Sequence, residues 1–119
     1  TLLKFFLIQT RDINDSKNVM RFLKNTFIEI SDDNKSGMQS ALNVLKETDL
    51  RNEIKKIDKP TLIISGDKDR LTSSKASIWL YEKIKGATLK EIKGANHMPF
   101  ISHRETMIES VKKFLQNDQ

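Results

Sequence analysis

The chain has 119 residues, with 21 Lys and Arg against 16 Asp and Glu and no cysteine; at roughly 100–200 residues per domain that is one ordinary domain or parts of two. The absence of cysteine excludes disulfides, thiolate metal sites, iron–sulfur clusters and a cysteine nucleophile, and it fits the cytosol. The net charge of +5 invites a nucleic-acid reading, but the lysines are scattered among acids with no Arg-rich or aromatic-interleaved run, so a solvated basic surface that binds no nucleic acid is expected.

The first element in chain order is the apolar stretch Leu2 to Ile8, which carries Lys4 inside it. It falls well short of the ~18 apolar residues of a membrane span and is expected to be a buried helix, with no membrane association. Val19, Leu23, Phe27 and Ile30 then recur at helical spacing, with Ser16 as N-cap. The run Ser31 to Gly37 breaks the pattern, and Met38, Ala41, Leu42 and Leu45 resume it to about Glu47. These segments make a small unit of three helices, too short and too apolar on one side to stand without a partner surface.

The pattern changes at Lys59-Pro60. Thr61-Leu-Ile-Ile64 is a continuous apolar, β-branched run ended by Ser65-Gly66, the signature of a strand covered on both faces. A helix capped by Ser73 or Ser74 follows to about Lys85, with Ile78, Trp79, Leu80 and Ile84 as its apolar side. Ala87 to Ile92 reads as a second strand, and Ser102-x-x-Glu105 as a capping box opening a last helix whose stripe is Met107, Ile108, Val111, Phe114 and Leu115. Strand, helix, strand, helix implies parallel neighbours joined by a right-handed crossover. Two such strands do not make a stable sheet alone, so residues 60–119 are expected to be the trailing edge of a larger sheet whose other strands would precede Thr1.

In open parallel sheets reactive groups collect past the carboxyl ends of the strands. The first strand runs out through Gly66-Asp67-Lys68-Asp69 and the second through Gly94-Ala95-Asn96-His97, so Asp69 and His97 are expected at one edge. A carboxylate there can fix the tautomer of an imidazole and leave its other nitrogen free as a general base. Taken singly, Asp69 also reads as a turn residue and His97 as a loop histidine.

Pro60-Thr-Leu-Ile-Ile-Ser-Gly-Asp-Lys-Asp69 followed by Gly94-Ala-Asn-His97 resembles the end of an α/β-hydrolase, in which nucleophile, acid and histidine follow in that order. The string His97-Met-Pro-Phe-Ile-Ser-His103, with Phe5-Phe-Leu-Ile-Gln-Thr10 and Leu45-Lys-Glu-Thr-Asp-Leu-Arg51, is similar to the BioH-type pimeloyl-acyl-carrier-protein methyl ester esterases and to the two ends of their helical lid. Arg104 stands where that family often has proline, and Asn96 where it usually has a small residue. The resemblance implies an α/β fold: the C-terminal part of an α/β-hydrolase, with a lid over residues 1–52 and the last two βα units of the core over residues 53–119. It selects Asp69 rather than Asp67 as the acid, since the family's acid sits three residues after the glycine ending its strand. Asp67 is then a turn or rim residue, and His103 a structural one.

The resemblance implies a serine carboxylic-ester hydrolase of biotin synthesis, cytoplasmic and without cofactor or metal, in which Asp69 and His97 are catalytic. No Gly-x-Ser-x-Gly occurs in the chain, so it is expected to be inert alone and to need an N-terminal part that supplies the nucleophile. Phe5 and Phe6 would roof the acyl chain, or simply pack the lid. Residues 1–25 carry five bases against two acids, and Lys17, Arg21 and Lys24 share one helix face. With Lys4 they would dock an acidic acyl carrier protein bearing the pimeloyl methyl ester, if that face is more than a solvated surface. The alternatives are another lidded α/β-hydrolase, such as a general carboxylesterase or a carbon–carbon-bond hydrolase, and a non-catalytic binding domain on the same fold.

Overall fold

The structure, a computed structural model, describes residues 7, 10, 15–27 and 34–117. Helix α1 (Ser16–Phe27) and helix α2 (Asn34–Glu47) are followed by the single turn α3 (Arg51–Ile54), strand β1 (Thr61–Gly66), helix α4 (Ser74–Lys83), strand β2 (Ala87–Ile92), the turn α5 (Pro99–Ser102) and helix α6 (Arg104–Asn117). The expected opening helix, Leu2 to Ile8, lies outside the described residues except for Leu7. Among the described residues no helix is long and apolar enough to cross a membrane.

The helix starts differ from their sequence signals. Ser16 is inside α1 rather than capping it: the Asp15 carbonyl accepts the Val19 N–H at 3.1 Å, and the Asp15 carboxylate accepts the Asn18 side-chain amide at 3.0 Å. Helix α2 begins at Asn34, so the Ser36-Gly37 end of the expected break is helical. A lone glycine costs a helix only about 1 kcal/mol, and Gln39 donates to Asn43 across one turn at 3.0 Å. At the last helix Ser102 is not an N-cap. It ends α5, and its hydroxyl turns back to the Met98 carbonyl at 3.1 Å.

The two strands pair in parallel, in the register Thr61 with Ala87 through Gly66 with Ile92. The parallel expectation holds, and α4 and α6 each pack on both strands. Double coverage holds only in part: residues 61–64 are half-buried, and full burial is confined to Ser65 and Gly66. The stripes also divide. Trp79 and Leu80 turn inward from α4, Ile84 from the residue just past it, and Met107, Val111 and Phe114 from α6, whereas Ile78, Ile108 and Leu115 remain exposed. On α2 the stripe Met38, Leu42 and Leu45 is exposed among the described residues.

A small apolar cluster joins the first half of the chain to the second. Leu23 of α1 and Met98 are buried together, with Val19, Met20 and Ile101 packed against them. Helix α1 is thereby seated on the segment that follows His97.

The ends of the two strands meet most closely at Gly66. A β-carbon there would stand 2.2 Å from the Ala95 carbonyl oxygen and 2.6 Å from that of Asn96. Both obstacles are backbone, so they cannot swing aside as a side chain does. The Gly66→Ala variant is expected to lose about 1–3 kcal/mol by overpacking, read as a lower urea midpoint at unchanged slope. A midpoint within about 0.2 M of the parent, as an order-of-magnitude threshold set by ~0.5 kcal/mol for neutral sites, would show that the two loops do not need this contact.

Candidate active site

The parallel register sends β1 and β2 out of the sheet side by side, and backbone bonds stitch the two exits together. Asp67 N–H donates to the Ile92 carbonyl at 3.3 Å, and Lys68 N–H to the Ala95 carbonyl at 2.9 Å. The Asp67 carboxylate accepts the Gly94 N–H at 2.7 Å. Gly94 has φ +80°, a left-handed conformation that glycine adopts without strain. Asp67 is thus a turn residue that ties the loop after β1 to the loop after β2.

With the exits fixed, Asp69 and His97 meet as expected. His97 Nδ1 lies 2.9 Å from Asp69 Oδ2. The carboxylate accepts three further bonds: from the N–H of Leu71 at 2.8 Å and of Thr72 at 3.0 Å on Oδ1, and from the Thr72 hydroxyl at 2.5 Å on Oδ2. The Asp69 side chain is 5% exposed and that of His97 39%. Burial pushes the Asp69 carboxyl up, but the Thr72 hydroxyl and N–H, the His97 ring and the Leu71 N–H together overcome it and lower its pKa to about 2. An ionised carboxylate can only accept, so His97 Nδ1 carries the proton. In the neutral imidazole Nε2 is then left with a lone pair, on a ring partly open to solvent.

Both residues line a cavity of about 220 Å³ with Ser65, Thr72, Asn96 and Phe100. A larger cavity of about 400 Å³ is lined by Pro60, Gly86, Lys90, Glu109 and Phe114 and contains neither Asp69 nor His97. The chemistry of the lining assigns the site to the smaller one. Among the described residues no group of three or more His, Asp or Glu side chains is placed to hold a metal ion.

The remaining expected site residues divide by location. Lys17, Arg21 and Lys24 are exposed on α1, whose Val19, Met20 and Leu23 pack toward Met98. Lys4, Phe5 and Phe6 lie outside the described residues. Sequence reasoning passed over Thr72, although Asp followed two and three residues later by free backbone N–H groups is an Asx-turn arrangement. It also treated Asn96 only as a departure from a family pattern. Asn96 is buried, and its Oδ1 accepts the Met98 N–H at 3.2 Å, bracing the residue after the histidine.

Two measurements check the electrostatics. Because the folded carboxyl titrates at about 2 and an unfolded one at ~3.9, the contribution of Asp69 to stability is fully present above about pH 4 and disappears as pH falls through about 2. Asp69→Asn is expected to remove that acid-dependent loss, on the order of 2 kcal/mol, from urea titrations between those limits. By NMR the same variant is expected to lose the protected His97 Nδ1 proton; its persistence would mean that another group holds the ring.

Residues 8–104 match the family model described as alpha/beta hydrolase fold. The chain is similar to the pimeloyl-[acyl-carrier protein] methyl ester esterase of Wigglesworthia glossinidia brevipalpis, 32% identical over 98% of this chain and 46% of that protein. It is similar also to the protein of that name from Nitrosospira multiformis, 24% identical over 96% of this chain and 43% of that one. The chain therefore spans less than half the length of these curated relatives. Among solved structures it resembles an esterase from Exiguobacterium antarcticum, with a TM-score of 0.80 and 26% identity over 97% of this chain and 42% of the other. The enol-lactonase from Burkholderia xenovorans LB400, at a TM-score of 0.82 and 24% identity over 97% of this chain and 44% of that one, shares the fold. The parallel strands, the Asp-bearing and His-bearing loops at their ends and the match over residues 8–104 agree, and the chain belongs to the α/β hydrolase fold family.

Proposed function

We propose that this chain carries the acid and the base of a serine carboxylic-ester hydrolase that cleaves the methyl ester of a pimeloyl group held by acyl carrier protein. The observation that carries the reading is the 2.9 Å contact between His97 Nδ1 and Asp69 Oδ2, which leaves Nε2 free beside a cavity. The names of the relatives, whose match extends over 96–98% of this chain, support the substrate. Residues 1–52 act as the lid and residues 53–119 as the part of the core that bears the pair. A cysteine-free chain acting on a carrier-protein substrate fits the cytoplasm.

In this reading His97 Nε2 takes the proton of a serine hydroxyl as its oxygen attacks the ester carbonyl. The proton then passes to the departing methoxide, which leaves as methanol, and the acyl group stays on the serine. Water repeats the sequence: Nε2 removes its proton, the acyl–serine bond breaks, and the proton returns to the serine. Asp69 remains ionised throughout and stabilises the imidazolium. The 119 residues hold no Gly-x-Ser-x-Gly, and Ser65 ends the acid's own strand, so the nucleophile and its oxyanion donors come from residues outside them and the chain alone is inactive.

The exposed Lys17, Arg21 and Lys24 supply a positive face for an acidic carrier protein, close to the site because α1 is seated on Met98. A general carboxylesterase is the second reading, favoured by the likeness to the Exiguobacterium esterase; it shares Asp69 and His97 and has no use for that face.

The complete gene containing this coding sequence is expected to restore biotin-independent growth to a strain lacking its pimeloyl-acyl-carrier-protein methyl ester esterase. His97→Ala is expected to abolish the rescue, through a loss on the order of 10³-fold or more in turnover; growth with that variant would refute the role of the histidine. In the complete enzyme, Lys17→Glu with Arg21→Glu is expected to lower kcat/KM for the carrier-linked ester by about tenfold at low salt and to spare a small soluble ester. Equal loss on both substrates would sink the docking face and favour the general esterase.

A further inference from the structure

The geometry points to a second function for the segment after the site: Ser102 and His103 are positioning residues, a clasp that fixes the loop bearing His97. The purpose of the clasp rests on the reading of His97 as a base, whereas its existence does not. The loop between β2 and α5 comprises residues 93–98, and His97 is its fifth residue.

The far end of the loop is Met98, whose side chain is buried against Leu23. Its N–H donates to Asn96 Oδ1 at 3.2 Å. Its carbonyl accepts the N–H groups of Ile101 and Ser102, both at 3.0 Å, and the Ser102 hydroxyl at 3.1 Å. The same hydroxyl oxygen lies 2.9 Å from His103 Nδ1. With the serine proton directed at Met98, His103 Nδ1–H is the donor in that second contact.

His103 then lies toward the near end. Its Nε2 is 3.7 Å from the point at which a β-carbon on Gly94 would stand, which puts the imidazole beside the Gly94 turn, on the side where a larger residue's side chain would be. The backbone of His103 is itself anchored, by its N–H to the Pro99 carbonyl at 2.8 Å and by its carbonyl to the Met107 N–H at 3.0 Å. Two consecutive side chains therefore bond to the Met98 end of the loop and stand beside the turn near its other end.

The loop needs such support for a physical reason. His97 must hold one nitrogen against Asp69 while its side chain is 39% exposed, and an irregular segment recovers much of its conformational freedom when its few contacts are cut. A displacement of the base by about 1 Å can cost on the order of 10²-fold in rate. Met98 O already receives two backbone donors, so the serine hydroxyl adds little as a hydrogen bond to that oxygen. Its larger contribution is to couple His103 to the residue after His97.

The test is NMR on the complete protein that contains this chain, labelled with ¹⁵N-histidine and free of substrate. In the parent, the His97 Nδ1 proton held by Asp69 is expected to be observable and protected from exchange with water. His103→Ala and Ser102→Ala are each expected to speed its exchange by about tenfold and to populate the other ring tautomer, while the amide spectrum of β1 and α6 remains that of the folded chain. His103→Asn, whose amide can stand where Nδ1 stood, is expected to restore protection. Unchanged exchange and tautomer in folded Ala variants would overturn the clasp, as would failure of the Asn variant to restore what the Ala variant loses. Should His103→Ala not fold, Ser102→Ala removes a single oxygen and carries the same readout. Absence of a protected Nδ1 proton in the parent itself would instead sink the Asp69–His97 reading.

Discussion

The close approach of the 95–96 backbone to Gly66 governs this structure. A peptide can pass over the end of β1 only where no β-carbon stands, because the carbonyl oxygens of Ala95 and Asn96 occupy the space a side chain would need. Once it passes there, the loop after β2 lies on the loop after β1. The bonds from Lys68 N–H to the Ala95 carbonyl and from Gly94 N–H to the Asp67 carboxylate become available. The meeting of Asp69 with His97 is a consequence of that stitching, since neither side chain is long enough to find the other from independently moving loops.

The electrostatics of the pair follow from the same packing. Burial alone would drive Asp69 toward its neutral form. The chain instead directs two backbone N–H groups, a hydroxyl and an imidazole at the carboxylate, and the charged form wins. This assigns the histidine proton to Nδ1 without recourse to any substrate. Asp69 is nearly enclosed while the His97 ring is partly open, so the charge is shielded from water and the ring is not. A buried charge with four donors is also a rigid one, and His97 inherits that rigidity through a single bond.

The helical first half is coupled to this site through one small apolar cluster. Leu23 and Met98 bury each other, so the helix bearing Lys17, Arg21 and Lys24 is held to the residue after His97. The apolar stripe of α2, exposed among the described residues, makes no comparable attachment.

Much of this was legible in the sequence, for physical reasons that can be named. Apolar runs bounded by Lys59-Pro60, Ser65-Gly66 and Gly86 mark both strands, because period and turn chemistry are local properties. Their order implies a parallel pair, and the residues just past two parallel strands are bound to emerge together, which placed Asp69 near His97. Helix starts were less legible: Ser16 and Ser102 carry capping chemistry, but the Asp15 carbonyl accepts the Val19 N–H at the start of α1, and the Ser102 hydroxyl donates to the Met98 carbonyl instead of capping α6. The reason that Gly66 must be glycine, the tie made by Asp67, the bracing by Asn96 and the grip of Ser102 and His103 depend on segments about 30 residues apart in some cases and on turn geometry in others. Local sequence set the strands, their order and the chemical types at their ends. Tertiary structure alone decided which oxygen, which nitrogen and which backbone group those residues would meet, because such contacts form only when two distant stretches of chain exclude each other from all but one arrangement.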